Sequence, residues 1–351
     1  MDAPGRAGLV VYRNSGGVDA IDEYSRRLAE ALEEHGTPAA YVADGLSSAR
    51  RRGGDPPWIL LQYNPFSYGR WGVAPGLLRD AALLRRRTDA TFAVCVHEPW
   101  THVHDWRSAL MATYHRAQLP ALLAIADVVL GLTEALVRQL GRRAVHVPVG
   151  SNLTPISMSA EAARARLGIG GELVVALFGS AHPSRALDHA EAAIAALASS
   201  CAVPTIRVLN LGAGAPPLNV PAGVVVATSG RLEPDELSLR LRASDIMLLP
   251  FLDGLSTRRT TLMAALAHGL PVVGVHGTGT DRLLVRHPEA LMLTPAGQPA
   301  GYAHSVVELA TDAARLRAVG QAGRRLYEQH FDWPVLARRV TAALRGDAPE
   351  R

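Results

Sequence analysis

The chain has 351 residues, of which 48% are hydrophobic, and its formal net charge is only +4. This length and composition predict two folded domains and exclude a disordered chain, and the small, scattered charge does not indicate nucleic-acid binding. All 36 basic residues are arginine, since the sequence contains no lysine, which excludes lysine Schiff-base chemistry and the standard phosphate-loop lysine.

The sequence also lacks the signals that are typical of membrane, secreted and metal-binding proteins. No run approaches the ~20 apolar residues of a membrane span, and Met1–Val10 does not have the layout of a secretory signal. Cys95 and Cys201 stand alone in apolar, strand-like contexts, which predicts two buried free thiols and a cytoplasmic protein. No D-x-D pair is present, and the group His102, His104 and Asp105 lacks a convincing further ligand, so we expect no metal site.

Strand-like and helical patterns alternate through the first part of the chain. The predicted strands are 8–12, 39–43, 58–62, 91–96, 127–131 and 144–147, and the predicted helices are 18–35, 74–87, 107–125 and 133–141. After the first strand, Asn14 and the pair Gly16-Gly17 precede a helix. Such a turn lets backbone amides approach a ligand closely, although an ordinary tight turn explains it equally well.

Polar and aromatic residues follow two of these strands. After the third strand come Tyr63, Asn64, Tyr68 and Arg70, and after the fourth come His97, Glu98 and Trp100. Because open α/β sheets bind ligands at the carboxyl ends of their strands, these residues are candidates for a site. The aromatic residues are suited to lining the binding site of a sugar or an acceptor. Aromatic residues that simply pack within the loops would give the same pattern.

A segment rich in Ser, Gly and Pro, from Gly150 to Gly171, separates this part from a second alternating series and indicates an interdomain connection with one short helix (159–167). The second series has predicted strands at 173–178, 205–211, 223–227, 246–250, 272–275 and 290–293, and predicted helices at 185–199, 234–243, 260–268, 278–286 and 302–318. Alternation of this kind predicts an α/β protein with two tandem, doubly wound, Rossmann-like parallel sheets.

The most informative passage runs from Ala243 to Val273. A buried strand is followed by a polar loop from Asp253 and then by a short helix that stops at Gly269. This order places a helix N-terminus, two arginines and several hydroxyls at the carboxyl end of one strand, which suits an anion such as diphosphate. The candidate residues are Ser256, Thr257, Arg258, Arg259, Thr260 and Thr261.

This passage resembles the donor-site signature of glycosyltransferase family 4. The Gly16-Gly17 opening, His97-Glu98 and Phe331-Asp332-Trp333 also resemble motifs of that family. The resemblance implies a GT-B fold, in which two Rossmann-like domains face a cleft. The implied parts are an acceptor-side domain (1–150), a connection (151–171), a nucleotide-sugar donor domain (172–328) and a C-terminal helix that crosses back to the first domain (329–351).

The resemblance also implies a function and roles for particular residues. We expect a retaining transfer from a nucleotide diphosphate sugar to a small-molecule acceptor, without a metal or other cofactor and without stable membrane insertion. His97 corresponds to the histidine that contacts the donor sugar, and Arg185 stands near the family's diphosphate-binding lysine. Gly179 and Ser180 occupy the family's Gly-Arg turn, where Ser180 replaces the arginine, and Arg231 and Leu232 lie in the loop that holds the nucleobase.

One departure from the family pattern leaves two alternatives open. Asp253 corresponds to the first glutamate of the two-glutamate motif, but Ala264 replaces the second, which binds the ribose in relatives. A nucleotide-sugar 2-epimerase of the same fold would need carboxylates for acid/base work, and Glu98 and Asp253 are the obvious ones. A non-catalytic, glycosyltransferase-like partner protein would also be compatible with Ala264 and Ser180.

Overall fold

A computed structural model of the chain describes residues 6–13, 19–51, 55–203 and 205–347. The chain divides into two compact units, one formed by Met1–Gly150 with Trp333–Arg351 and the other by Ser151–Asp332. Each unit contains a six-stranded sheet whose strands pair in parallel. The predicted α/β class with two parallel sheets is confirmed. Asn14, Gly16 and Gly17 lie outside the described residues.

The first unit has the strand order β2-β1-β3-β4-β5-β6. Its strands are β1 (Gly8–Val11), β2 (Ala39–Val42), β3 (Trp58–Tyr63), β4 (Thr91–Val96), β5 (Val128–Gly131) and β6 (Ala144–His146). Its helices include α1 (Ala20–Glu34), α2 (Leu46–Arg51), α3 (Pro65–Tyr68), α4 (Pro75–Arg87), α5 (Trp106–Ile125) and α6 (Glu134–Leu140), with a 3-10 turn at Arg70–Gly72. β3 is buried along its whole length and β4 along nearly all of it, as expected for parallel strands covered by helices on both faces.

The second unit has the strand order β9-β8-β7-β10-β11-β12. Its strands are β7 (Leu173–Phe178), β8 (Ile206–Leu211), β9 (Val225–Thr228), β10 (Ile246–Leu249), β11 (Val272–His276) and β12 (Met292–Pro295). Its helices are α7 (Ala160–Leu167), α8 (Leu187–Ala198), α9 (Pro234–Arg242), α10 (Thr260–Ala267), α11 (Arg282–Val285), α12 (Pro299–Thr311) and α13 (Ala313–His330). A last helix, α14 (Trp333–Arg345), belongs to the first unit and packs on α1.

Three sequence-based expectations differ from the structure. The predicted helix 302–318 is two helices, because the carboxylate of Asp312 accepts from the backbone N–H groups of Ala314 and Arg315 and starts a new helix there. The predicted helix 278–286 is a single turn. Cys95 is buried as expected, but Cys201 is exposed, since it lies in the turn before β8. None of the described helices has the length and apolar character that crossing a membrane requires.

Candidate functional site

The strand order of the second unit reverses between β7 and β10, and open α/β sheets bind ligands at the carboxyl ends of the strands beside such a switch point. Backbone hydrogen bonds connect the two loops: Ala186 N–H donates to Pro250 O over 2.9 Å, and Leu252 N–H donates to Ser184 O over 2.7 Å. The predicted residues on the two loops are therefore brought together at one end of the sheet.

Arg185 lies in the first of these loops. Helix α8 begins only at Leu187, and the Arg185 side chain is buried beneath the turn that follows β7. Its Nη1 donates to Gly179 O over 2.8 Å and approaches Ser180 O at 3.5 Å. Burial lowers the pKa of Arg185, but a guanidinium remains protonated in proteins. A permanent positive charge is thus held at the carboxyl end of β7.

Arg259 and Asp253 form a second charged pair in the loop after β10. One guanidinium nitrogen of Arg259 lies 2.8 and 3.0 Å from the two carboxylate oxygens of Asp253, and the guanidinium stacks 4.0 Å from the Phe251 ring centroid. Burial lowers the pKa of Arg259, while Asp253 acts in the opposite direction. Arg258 is more exposed and lies 3.8 Å from Asp253. Two arginines therefore share one carboxylate, which leaves the loop net positive.

Thr257 and Ser256 are buried in this loop. Asp281, which follows β11, accepts from both the backbone N–H and the hydroxyl of Thr257 at 2.7 Å. Those two donors of Thr257 bind within the unit, so this residue anchors the loop instead of presenting its hydroxyl to a ligand. Within the described chain, the buried Ser256 hydroxyl has no hydrogen-bond partner. Sequence reasoning missed Asp281, although its place just after the Gly-Thr-Gly-Thr turn behind a buried strand was a usable signal.

The N-terminus of α10 completes the cluster. The helix begins at Thr260, and its first N–H groups have no acceptor within the helix, which makes this end attractive to anions. A Cβ built on Gly179 would lie 3.4 Å from Thr261 Cγ2 and 3.8 Å from Arg185 Nη1. Gly179 has φ +126°, a conformation that favours glycine. The β7 turn, the buried arginine and the helix start therefore meet at one point.

Two other predicted features of the second unit lie apart from this cluster. Arg231 is exposed and Leu232 is half-buried in the segment that follows β9, which is the edge strand on the far side of β8 from β7. Ala264 is buried within the apolar α10. No carboxylate takes the place of the missing ribose-binding glutamate on this helix.

In the first unit, His97 lies at the carboxyl end of β4. Its Nε2 is 2.8 Å from Gln62 Oε1, and the ring packs edge-on against Tyr24 at 5.5 Å. Burial lowers the pKa of His97 to about 3, so the imidazole is neutral at physiological pH. With the amide oxygen as acceptor, Nε2 carries the proton. The adjacent Glu98 is exposed.

The predicted acceptor residues separate into buried and accessible ones. Tyr63 and Tyr68 are buried in the core: the Tyr68 hydroxyl donates to Gln62 O, and the Tyr63 hydroxyl accepts from Gln118. Asn64 caps α3. These three side chains support local structure instead of lining an open wall, because the chain turns inward after β3. The accessible ones are Arg70, over the ring of Trp71, and Trp100, beneath Arg116.

The histidine-rich loop before α5 has a structural role. The Asp105 carboxylate accepts from Ser108 N–H and forms a capping box at the start of the helix. His104 Nδ1 approaches His102 O at 3.3 Å. Across residues 6–13, 19–51, 55–203 and 205–347, no group of three or more His, Cys, Asp or Glu side chains is arranged to hold a metal ion.

Comparisons with known proteins found one family model and a set of similar solved structures. Residues 172–312 match the family model described as Glycosyl transferases group 1, whereas no curated protein sequence matches the chain. The chain is similar in structure to sucrose-phosphate synthase from Thermosynechococcus elongatus, with 17% identity, a TM-score of 0.70, and coverage of 98% of this chain and 99% of that chain.

Two other solved structures are similar over nearly the whole chain. Anabaena HepE in complex with UDP and glucose has 14% identity and a TM-score of 0.67, covering 97% of this chain and 100% of that one. WaaG, a glycosyltransferase involved in lipopolysaccharide biosynthesis, has 15% identity and a TM-score of 0.59 with the same coverage. At these identities the likeness shows the fold, which is the GT-B arrangement of two Rossmann-like units. The match to the family model lies within the second unit, which contains the arginine and helix cluster.

Proposed function

We propose that the protein is a glycosyltransferase that moves a sugar from a nucleoside diphosphate sugar to a small-molecule acceptor, with retention of anomeric configuration. The observation that carries the proposal is the meeting of Arg185, the Gly179 turn and the start of α10 at the topological switch point of the second unit. A diphosphate leaving group gains negative charge in the transition state, and fixed positive groups aimed at it lower the barrier. UDP and UDP-glucose are present in structures of the similar HepE, so a uridine diphosphate sugar is the first donor to test.

The proposed reaction needs no nucleophile from the protein. The bond between the anomeric carbon and the diphosphate oxygen breaks, and the acceptor oxygen bonds to the same face of that carbon. The proton of the acceptor passes to an oxygen of the departing diphosphate. Arg185 and the α10 N–H groups stabilise the diphosphate, with Arg258 and Arg259 contributing charge, so the positive charge comes from the protein and the reaction is proposed to be metal-independent.

His97 is proposed to contact the transferred sugar as a hydrogen-bonding group. Because its pKa is lowered to about 3 by burial, it contributes no charge at neutral pH. A reducing compartment suits the exposed free thiol of Cys201, and we propose that the reaction takes place in the cytoplasm.

The test is a calorimetric titration with UDP, GDP and ADP and with the matching monophosphates UMP, GMP and AMP, followed by incubation with the corresponding nucleotide sugars. We expect one diphosphate to bind at least about tenfold more tightly than its monophosphate, because the second phosphate reaches the arginine cluster. Arg259→Ala should weaken that preference, whereas Arg315→Ala, which removes an exposed ion pair with Glu308, should not. Interconversion of the nucleotide sugar would indicate an epimerase, and no binding of any nucleotide would indicate a non-catalytic partner protein.

A further inference from the structure

A pocket rich in arginine lies at the C-terminal end of α10, within the second unit. Its volume is about 630 Å³, a size typical of small-molecule sites. The walls come from the end of α10, one face of α13, the end of α9 and the segment before α7. The described residues that line it include no carboxylate and four arginines, which are Arg242, Arg317, Arg324 and Arg325. We call this the arginine pocket.

Helix α13 supplies three of the four arginines from one face. The residues of α13 that line the pocket recur at intervals of three and four, which places them on the same side of the helix: they are Arg317, Gly320, Gln321, Arg324 and Arg325. A Cβ on Gly320 would lie only 2.3 Å from Gly269 O, so this face lies directly on the end of α10. Gly269 itself has φ +65°, the left-handed conformation that commonly ends a helix. Two closely packed helices, not a loop, therefore position the arginine backbones.

Two of the arginines have a structural role at the end of α10. Arg242 Nη1 donates to His268 O over 3.3 Å, and Arg324 Nη1 donates to Ala267 O. Arginine is favourable there because it satisfies the last carbonyl groups of a helix and faces the negative end of its dipole. Arg242 also donates to Met158 O from Nε and Nη2, over 3.1 and 3.0 Å. These contacts hold two guanidiniums beside the pocket.

Arg317 and Arg325 have no such role. Both are exposed, and within the part of the chain that the structure describes neither forms a hydrogen bond or an ion pair. The neighbouring carboxylates already have partners: Glu328 pairs with another arginine of α13 at 2.7 Å, and Glu289 pairs with His287 at 2.9 Å. The pKa of Glu289 is lowered chiefly by that histidine, and the charge of Arg325 is a smaller cause. The pocket therefore has an excess of positive charge that internal contacts do not explain.

One lining residue, His268, is buried and neutral at physiological pH. Its Nδ1 lies 2.7 Å from Ala264 O and donates to it, and its Nε2 lies 2.8 Å from Ser238 Oγ. The Ser238 hydroxyl accepts from Ile156 N–H over 2.9 Å, so both ring nitrogens and the hydroxyl are satisfied. Burial lowers the pKa of His268 to about 4, and the charges of two neighbouring arginines act in the same direction. The positive charge of the pocket thus comes from arginine alone and is constant around neutral pH.

We propose that the arginine pocket binds a small molecule that carries two phosphate groups. Guanidinium groups bind phosphate through paired hydrogen bonds and stay protonated in proteins. Two phosphate monoesters together carry about −3 to −4 at neutral pH, which matches four arginines of which one already pairs with a glutamate. The described lining has no aromatic side chain on which a nucleobase could stack, so the pocket is less suited to a single-stranded nucleic acid.

The arginine pocket is separate from the proposed donor site. The donor cluster lies at the start of α10 and the pocket at its end, and a helix of this length spans about 12 Å. The two sites share no arginine, since the donor cluster contains Arg185, Arg258 and Arg259. Binding in the pocket therefore goes beyond sugar transfer and does not depend on it.

The experiment is calorimetric titration of the full-length protein with inorganic pyrophosphate and with fructose 1,6-bisphosphate, which present two phosphate groups at different spacings. We expect at least one probe to bind at low salt, and to bind more weakly at high salt because ions screen the arginines. The double variant Arg317→Gln/Arg325→Gln should bind that probe about tenfold or more weakly, since it removes two guanidiniums that face the phosphates. Its thermal unfolding should match that of the wild type, because neither side chain bonds within the described chain.

Matched controls separate the pocket from general charge and from the donor cluster. Arg315→Gln removes an arginine of the same helix that pairs with Glu308 and does not line the pocket, and it should bind the probe like the wild type. Arg259→Ala removes a guanidinium of the donor cluster, and it should retain the binding that the double variant loses. A short single-stranded oligonucleotide is titrated in parallel and should not compete with the probe.

Four results would overturn the proposal. The wild type could bind neither probe at low salt, or the double variant could bind as tightly as the wild type. Arg259→Ala alone could abolish binding, which would place the probe at the donor cluster. Finally, the oligonucleotide could bind in place of both probes and be lost in the double variant, which would make the arginines a nucleic-acid surface.

Discussion

Replacing Arg185 with alanine is the most direct test of the donor site. The guanidinium is buried and hydrogen-bonded to the carbonyl oxygen of Gly179, so the substitution removes a structural contact as well as a charge for the diphosphate. Losing a hydrogen bond from a charged group costs about 1.5–3 kcal/mol of folding stability. If Arg185 also stabilises the departing diphosphate, kcat/KM should fall by about 10²-fold, which corresponds to about 2.7 kcal/mol of transition-state stabilisation.

The two losses are separated by a control arginine that is structurally important but lies far from the donor site we propose. Arg164, on α7, donates to Ala243 O and pairs with Asp245 near the amino end of β10, at the opposite edge of the sheet from Arg185. Arg164→Ala should reduce the free energy of unfolding at least as much as Arg185→Ala, because it removes more hydrogen bonds, and should leave kcat/KM for the folded enzyme within about threefold of wild type. Denaturant unfolding and steady-state transfer kinetics are measured for both variants. If folded Arg185→Ala has the kcat/KM of Arg164→Ala, Arg185 does not act on the donor.

Three further outcomes are expected. Asp281→Ala should lower the free energy of unfolding by about 2–4 kcal/mol and weaken nucleoside diphosphate binding. The reason is that the backbone N–H and the hydroxyl of Thr257 both lose their buried acceptor. Unchanged urea unfolding would contradict this prediction. His97 has a lowered pKa in the folded state, so below about pH 6.5 the unfolded chain binds more protons than the folded one. The contribution of His97 to the free energy of unfolding therefore falls as the pH drops from there towards about pH 3. His97→Gln should reduce this pH dependence in unfolding measurements, and it should lower turnover while nucleotide affinity is retained. In thermal unfolding, Gly212→Ala should destabilise the protein more than Gly214→Ala does. Both glycines have a positive φ, but only a Cβ at Gly212 would meet the backbone, at 2.9 Å from the carbonyl carbon of Gly179.

The strand pattern was predictable from the sequence because these strands are buried on both faces. A strand such as β10, with four buried apolar residues in succession, stands out against the polar loop that follows it. The helices were less predictable where the same periodic pattern of apolar residues continues across the boundary between two helices. The break between α12 and α13 depends on a single cap at Asp312, and a lone aspartate within a helical pattern is not by itself a sufficient signal.

The site was predictable to the extent that it lies next to strand ends. Gly179, Arg185 and Arg259 each follow a strand closely, and the parallel order of β7 and β10 brings them to one edge. The hydroxyls were harder to assign, since the role of Thr257 depends on Asp281, which approaches from the loop after the neighbouring strand β11. A side chain 24 residues away decides which donors remain for a ligand. The position of Asp281 after a buried strand marks it as a candidate, but the sequence does not show that Thr257 is its partner.

The arrangement of carboxylates explains why the departure at Ala264 does not dismantle the site. Asp253 pairs with Arg259, and Asp281 accepts from Thr257. Both acids therefore hold the loop that leads into α10, and neither lies on the helix itself. Because α10 is buried from Leu262 to Ala267, a glutamate at position 264 would have to place a charge among apolar neighbours, which is costly without a partner. The loop shape and the helix N-terminus are thus maintained from outside the helix, so the diphosphate site that we propose does not depend on a carboxylate at position 264.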